Sequence, residues 1–408
     1  MNFDDTPQEA AFRAAARTWL EANAPAPEEA KRMGRENLDE ATALKAARAW
    51  QSRKAAGGWA CLHWPKAYGG REATPIERVI WEQEESRFAV PRGFFEIGLG
   101  MCGPTMMMYA TEAQKQHYLP PMLRGETIWC QLFSEPSAGS DVAGLRMRAV
   151  RDGDDWVING QKIWTSGAHY SDFGILVTRS DPTVPKHKGL TFFFVDMKSP
   201  GITIKPIKQI SGTSNFNEVF FEDVRIPDAQ RLGDVGQGWT VSLTTLMNER
   251  LAVGDAPGPG FDEAFALARE VLLEDGPAIR NPEVRQRLAE WYVQSRGLKY
   301  TKFRGMTALS RGATPGPEAS ITKLVSANVL QSVANFGMDL QDMGGVVHGT
   351  GQPAAGLFQQ ALLYSPGLRI AGGTDEILRN IIAERVLGLP PDIRVDKDIA
   401  FNALPTGR

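Results

Sequence analysis

The 408-residue sequence is poor in cysteine, histidine and net charge, and each scarcity removes a class of function. Its three cysteines, Cys61, Cys102 and Cys130, are odd in number, far apart and set among apolar neighbours. They exclude a disulfide framework and read as buried free thiols of a reducing, cytoplasmic setting. Five scattered histidines and no Cys-x-x-Cys offer no metal-ligand spacing, so no metal is expected. A formal net charge of −3 supplies no attraction for nucleic acid or an anionic membrane. No apolar run approaches the roughly 20 residues that span a bilayer. The acidic start, Met1-Asn-Phe-Asp-Asp-Thr, lacks the charged and apolar regions of a signal peptide. No G-x-G-x-x-G follows a strand-like run, which argues against a nicotinamide-binding Rossmann domain.

What is present is an ordinary globular composition, 42% hydrophobic and 23% charged, in a chain long enough for two or three packed domains. Residues 1–125 read as helices. Thr6 caps a segment whose Phe12, Ala16 and Leu20 form one apolar stripe. Further helices are predicted over 38–56 and 75–87, with the W-P-x-x-Y-G-G turn between them as an aromatic lock. A methionine-rich helix follows at 94–110, its Met101, Met106, Met107 and Met108 reading as core filler, with an acyl pocket as the alternative. Thr111 caps a last helix that Pro120-Pro121 is expected to end. Residues 126–232 switch to short β-branched and aromatic runs at 155–160, 173–178, 190–195, 201–207 and 218–224, and Asn159-Gly160 carries a hairpin signal. With no helices between them these runs imply a small antiparallel barrel or sandwich. Residues 233–408 return to helical periodicity over 238–253, 261–273, 282–310, 318–341 and 374–387, lengths that suit an antiparallel bundle. The Gly254–Gly260 stretch, with two prolines and three glycines, must break or kink the first of these. The expected architecture is mainly α with a central β domain.

The organising stretch is W-C-Q-L-F-S-E-P-S-A-G-S-D-V-A-G-L, residues 129–145, in which an apolar run ends in a loop of small residues and hydroxyls, 137–141. Small residues admit a ligand close to the backbone, and hydroxyls with free N–H groups suit phosphate oxygens or a polar ring edge. Some twenty residues later comes G-Q-K-I-W-T-S-G, residues 160–167, a second strand ending in hydroxyls, with a Trp able to pack on a flat ring. By spacing alone this is no more than a polar loop at a strand end.

S-E-P-x-A-G-S-D followed by G-x-K-x-W-x-S resembles the flavin-binding segment of the acyl-CoA dehydrogenase family, and the likeness runs across nearly the whole chain. The resemblance implies an N-terminal α-helical domain, a middle antiparallel β-barrel and a C-terminal four-helix bundle. It implies FAD as cofactor and α,β-dehydrogenation of an acyl-CoA thioester. A Glu takes the α-proton, and the β-hydrogen leaves to flavin N5. By the same resemblance Leu132 and Ser134 face the isoalloxazine edge, Ser140 reaches the pyrophosphate, Trp164 packs on the ring and Ser166 bonds near N5. Thr374 and Glu376 lie along the cofactor. Gln341, Gly344 and Gly345 contact the FAD of a neighbouring subunit.

Many members place the base immediately before the Gly-Thr of the closing motif, here Arg369-Ile-Ala-Gly-Gly-Thr-Asp-Glu, and this chain has Gly372 there. A second family pattern puts the base in a Glu-Arg pair on the first bundle helix, which Glu249-Arg250 resembles. Glu249 is therefore the candidate base, and the Gly372 N–H remains able to bind the thioester oxygen. Asp375 and Glu376 read instead as acids at a helix N-terminus, favoured by its dipole. Two departures stand out: 274–285 lacks the Arg-x-x-Phe-Gly that clamps an adjacent FAD, and 344–351 departs from Gly-Gly-x-Gly. These features resemble bacterial dehydrogenases of bulky, branched or steroid-side-chain acyl-CoAs. An electron-transferring flavoprotein is the implied acceptor, and a homotetramer or dimer the implied assembly, with a mixed oligomer as alternative. The other readings of the same fold are an acyl-CoA oxidase, a flavin monooxygenase or a non-catalytic partner subunit.

Overall fold

A computed structural model describes residues 5–25, 39–252, 258–310, 316–347, 354, 356–393, 396 and 398–405, apart from the side chains of 249–252, 309, 310 and 319. The chain divides into two compact units. One comprises 1–208, 214–252 and 394–408, the other 209–213 and 253–393.

The first unit begins with capped helices. Thr6 and Glu9 close a reciprocal capping box at the start of α1 (Pro7–Asn23). Helix α2 (Glu40–Ala56) stops at Gly57, and Thr74 caps α3 (Pro75–Glu85) in the same reciprocal way. The turn between them does lock helices through aromatics. Trp59 stacks on Trp81 at 4.8 Å, Trp64 is fully buried, and the Tyr68 hydroxyl donates to Glu112 at 3.0 Å. Helix α4 (Gly103–Tyr109) continues from a π-helical turn, Gly98–Cys102. Met101 and Met106 are core, whereas Met108 is 65% exposed. Helix α5 (Glu112–Arg124) corrects the sequence reading, because it runs straight through Pro120 and Pro121 and stops at Gly125. Proline removes backbone donors but its φ is helical, and burial of Leu119, Met122 and Leu123 outweighs the lost bonds.

Seven strands follow: β1 (Trp129–Leu132), β2 (Arg148–Asp152), β3 (Asp155–Ser166), β4 (Phe173–Arg179), β5 (Leu190–Asp196), β6 (Ile202–Ile207) and β7 (Phe216–Pro227). They form one sheet in the order β1-β4-β2-β3-β7-β6, with β5 also on β4. Pairing is antiparallel except that β1, and one residue pair of β2, meet β4 in parallel. The hairpin expected at Asn159-Gly160 is absent. Strand β3 passes through it with a bulge, and the turn lies at Gly153-Asp154, between β2 and β3. Gly160 has φ +148, and a Cβ there would meet Met147 at 3.0 Å, so this glycine serves a close approach rather than a turn. Strand β2, Arg-Ala-Val-Arg-Asp, is too polar to have been read as a strand.

The sheet is covered on both faces, which is why β4 and β5 read as continuous apolar runs. Ile175, Val177, Phe192 and Phe194 pack with Trp64, Met106, Leu119 and Met122 of the helices. Leu132, Leu176, Phe193 and Val195 pack with Trp156, Ile158, Val219 and Phe221. Helix α6 (Gly238–Ala252) belongs to this unit, with Val241 in the first of those clusters.

The second unit is helical. It holds α7 (Phe261–Glu270), a ribbon of β8 (Leu272–Leu273) and β9 (Gly276–Pro277), α8 (Pro282–Ser310), α9 (Ala319–Gln341), α10 (Met343–Val346), α11 (Leu357–Leu368) and α12 (Asp375–Ile381). Its core sets Leu267, Leu288 and Trp291 against Val333, Phe336 and Phe358. Helix α7 is shorter than expected because Leu272 and Leu273 enter the ribbon. Of the breaking stretch Gly254–Gly260, residues 254–257 lie outside the described residues. Among the described residues no helix is long and apolar enough to cross a membrane.

Candidate active site

The two motifs singled out in the sequence are bolted together. The Glu135 carboxylate, buried at the end of β1, accepts from Lys162 Nζ at 2.9 Å and from the Arg146 and Met147 N–H groups at 2.6 and 3.0 Å. Lys162 is fully buried and also donates to the Phe133 carbonyl at 2.9 Å. Burial pushes the Lys162 ammonium below its usual value, and Glu135 pulls it part of the way back. Ile163 N–H completes the joint by donating to the Ser134 carbonyl at 2.9 Å. Glu135 and Lys162 were not among the predicted site residues. Their signal was a charged residue of each sign within otherwise apolar or small-residue motifs.

On this joint the predicted cofactor residues occupy different depths. Leu132 is buried, Ser134 and Ser166 are half-buried, and Ser140 is exposed on the loop. Trp164 is 56% exposed although Lys162 and Thr165 beside it are buried. It has φ +59 and lies within the second bulge of β3, between Lys162 and Thr165, while Phe216 meets it edge-on at 6.3 Å. A left-handed backbone on an aromatic residue costs about 1–2 kcal/mol and persists only where the surroundings enforce it. An open indole face with the half-buried Ser166 hydroxyl on the same strand suits a flat ring with a polar edge, and loop 137–141, with Ser140 exposed, suits a phosphate-bearing chain.

Helix α6 is fixed to the N-terminal helices by polar contacts. The Thr105 and Thr245 hydroxyls are 2.8 Å apart in a fully buried setting, and Tyr109 and Thr244 meet at 3.0 Å. Glu249 and Arg250 fall in the last turn of this helix, and their side chains lie outside the described residues.

In the second unit Gly372 and Gly373 have φ +65 and +94 and lead into Thr374, whose hydroxyl caps α12 by accepting from Ile377 N–H. Lys323 Nζ donates to the Gly373 carbonyl at 2.6 Å. Asp375 differs from the helix-dipole reading. It is 2% exposed and accepts from Arg369 Nε at 2.7 Å and Asn328 Nδ2 at 3.1 Å. Burial raises its carboxyl, but the bonds from Arg369 and Asn328 outweigh that and hold it below the usual range. Glu376 is exposed and also lowered, by its own N–H and by Thr374. Thr374, Asp375 and Glu376 line a cleft of about 240 Å³ with Gln331, Pro366, Arg369 and Ile370. Gln341 donates to the Gly337 carbonyl at 2.8 Å, and its buried Oε1 has no partner among the described residues. Gly345 is buried, and its carbonyl accepts from Gln359.

This domain order and these motifs define an FAD-dependent oxidoreductase. Models of the acyl-CoA dehydrogenase N-terminal, middle and C-terminal domains match residues 6–126, 130–224 and 236–387. The chain is 36% identical to acyl-CoA dehydrogenase IpdE1 of Mycobacterium tuberculosis, over 94% of this chain and 98% of that one. It is 39% identical over 330 residues to acyl-CoA dehydrogenase FadE34 of the same organism, covering 80% of this chain but only 44% of that longer protein. Among solved structures, Tcur3481-Tcur3483 steroid ACAD superposes with a TM-score of 0.79 at 28% identity, over 96% of this chain and all of that one. The chain belongs to the acyl-CoA dehydrogenase family, and its cofactor is FAD.

Proposed function

We propose that the protein removes the α-proton and β-hydrogen of an acyl-CoA thioester, giving the trans-2-enoyl-CoA, with Glu249 as the base. FAD, when bound, accepts the β-hydrogen together with its bonding electron pair. The chain's own residues do the rest. Trp164, Ser166, Ser134 and Leu132 hold the ring, and Ser140 holds the phosphates. Thr374 and Glu376 lie along the cofactor, and Gln341, Gly344 and Gly345 contact the FAD of a neighbouring subunit. The Gly372 N–H donates to the thioester oxygen, which raises the acidity of Cα. Arg250 is the second member of the family's Glu-Arg pair and is assigned to the catalytic site with Glu249. Electrons then pass to a separate flavoprotein.

The carrying observation is the glycine at 372. Its left-handed backbone accommodates no side chain cheaply, so the acid must come from elsewhere, and Glu249 occupies the family's alternative position. The similarity to a steroid ACAD supports a bulky, ring-bearing acyl group as substrate. Glu249→Gln is expected to keep FAD and acyl-CoA binding while slowing anaerobic flavin reduction by roughly 10²- to 10⁴-fold. Reduction at the wild-type rate with a confirmed substrate would remove Glu249 from the mechanism.

A further inference from the structure

Loop 137–141 is held from two sides. At its start, Glu135 and Ala138 exchange backbone bonds at 3.0 Å, and Glu135 is anchored by Lys162. At its end the fixed points are two cations of a different segment. Arg179 donates to the Ala143 carbonyl at 2.6 Å, the Leu145 carbonyl at 2.9 Å and the Lys186 carbonyl at 3.2 Å. Lys186, its side chain 13% exposed, donates to Asp141 at 2.9 Å.

Both cations are completed by the last part of the described chain, Asp396 and residues 398–405. The Phe401 ring, 7% exposed, lies 3.4 Å from the Arg179 guanidinium carbon, and Arg146 lies 5.2 Å away on the same ring. Asp396 forms the second ion pair of Lys186. The segment is itself pinned, because Phe401 and Asn402 N–H groups donate to the Val184 and Pro182 carbonyls at 2.9 Å and Ala400 bridges to Pro185. Among the described residues no carboxylate ion-pairs with Arg179, and an aromatic face and three carbonyls hold this buried cation. Moving the ring away would leave its guanidinium free to rotate off Ala143 and Leu145.

We infer that Asp396 and residues 398–402 form a latch that positions the phosphate loop 137–141, with Phe401 and Asp396 acting through Arg179 and Lys186 as positioning residues for FAD. This rests on reading that loop as the cofactor's phosphate site. The latch contributes no atom to the ligand. It narrows the conformations of Ser140 and Asp141 before the ligand arrives, so its loss appears as weaker cofactor binding.

The experiment is reconstitution of the deflavinated full-length protein with FAD, following flavin fluorescence, for wild type, Phe401→Leu, Phe401→Trp, Asp396→Asn and Ser140→Ala. Phe401→Leu keeps bulk and burial but removes the ring face, so the FAD dissociation constant should rise about tenfold. Phe401→Trp keeps the face and should bind as wild type. Asp396→Asn, a change at the surface end of the latch, should raise the constant about threefold. A merely structural Phe401 would lower the melting temperature of Leu and Trp variants alike and leave FAD affinity unchanged, which overturns the inference. Wild-type affinity in both Phe401→Leu and Asp396→Asn overturns it equally. Ser140→Ala separates the two readings. If it binds FAD as wild type does, the phosphate-loop reading has failed. If it weakens binding while Phe401→Leu does not, only the latch has failed.

Discussion

Loop 137–141 of the first unit and turn 372–374 of the second are both small-residue loops standing on a buried ion pair, yet the pairs are built differently. Glu135 uses both carboxylate oxygens, accepting from Lys162 and two backbone N–H groups. Asp375 places its bonds from Arg369 and Asn328 on one oxygen, and its buried Oδ1 has no partner among the described residues. A completed buried network rigidifies its surroundings, whereas an unpaired buried acceptor costs about 1–3 kcal/mol. The same device therefore gives a tightly fixed joint in one unit and a less stable turn in the other.

The sharpest way to break this contrast is Lys162→Met. It strands a buried Glu135, and stability in urea melts of the holoprotein should fall by about 3–5 kcal/mol. Adding Glu135→Gln should recover part of that, because the uncompensated charge is gone. A loss for Lys162→Met no larger than that for Asp375→Asn would show that the two pairs are equivalent after all.

Asp375→Asn should cost less, about 1–3 kcal/mol at neutral pH, since it removes the charge that Arg369 faces while one oxygen was already unpaired. Its pH dependence fixes the sign. The folded Asp375 value is lowered, so its contribution is present above the unfolded value of about 3.9 and is lost as pH falls through the folded value. The gap between wild type and Asp375→Asn should thus close below about pH 4. Glu84, held down to about 2 chiefly by Arg17, titrates in the same acid window, so only the difference between variant and wild type isolates Asp375. A gap that stays constant down to pH 2 would deny the ion pair its role.

The smallest effect concerns Gly372. Gly372→Ala should lower stability by about 1 kcal/mol through its left-handed backbone, with no change in flavin absorbance. The same strain limits Gly372→Glu as a replacement base in a Glu249→Gln background, where stopped-flow reduction should show at most partial rescue. Full rescue would mean that the turn tolerates a side chain and that φ is not what excludes the acid.

Much of this was legible in the chain because it is local. Thr6, Thr74 and Thr111 each announce a helix by a hydroxyl three residues before a Glu or Gln, and α8 appears with the bounds its periodicity suggests. The family was legible through the resemblance of its motifs. Misreadings came where one residue type serves two conformations. Asn159-Gly160 reads as a turn by composition, but Met147 crossing close by makes it a bulge. Pro120-Pro121 reads as a stop, but the buried side chains around it keep the helix going. Helix α11 was missed because a glycine and a proline, Gly367 and Pro366, interrupt its pattern near the end.

By itself the sequence determined the order of helical, β and helical regions and the family, since each depends on residues within a few positions of one another. Only the tertiary structure decided what the family's motifs stand on. Glu135 meets Lys162, Lys323 meets the Gly373 carbonyl, and Arg179 meets Phe401. These partners lie tens to hundreds of positions apart, and nothing in spacing or periodicity signals which charge will find which. A buried charge has no low-energy place except beside a partner, and packing of the whole unit decides which partner arrives.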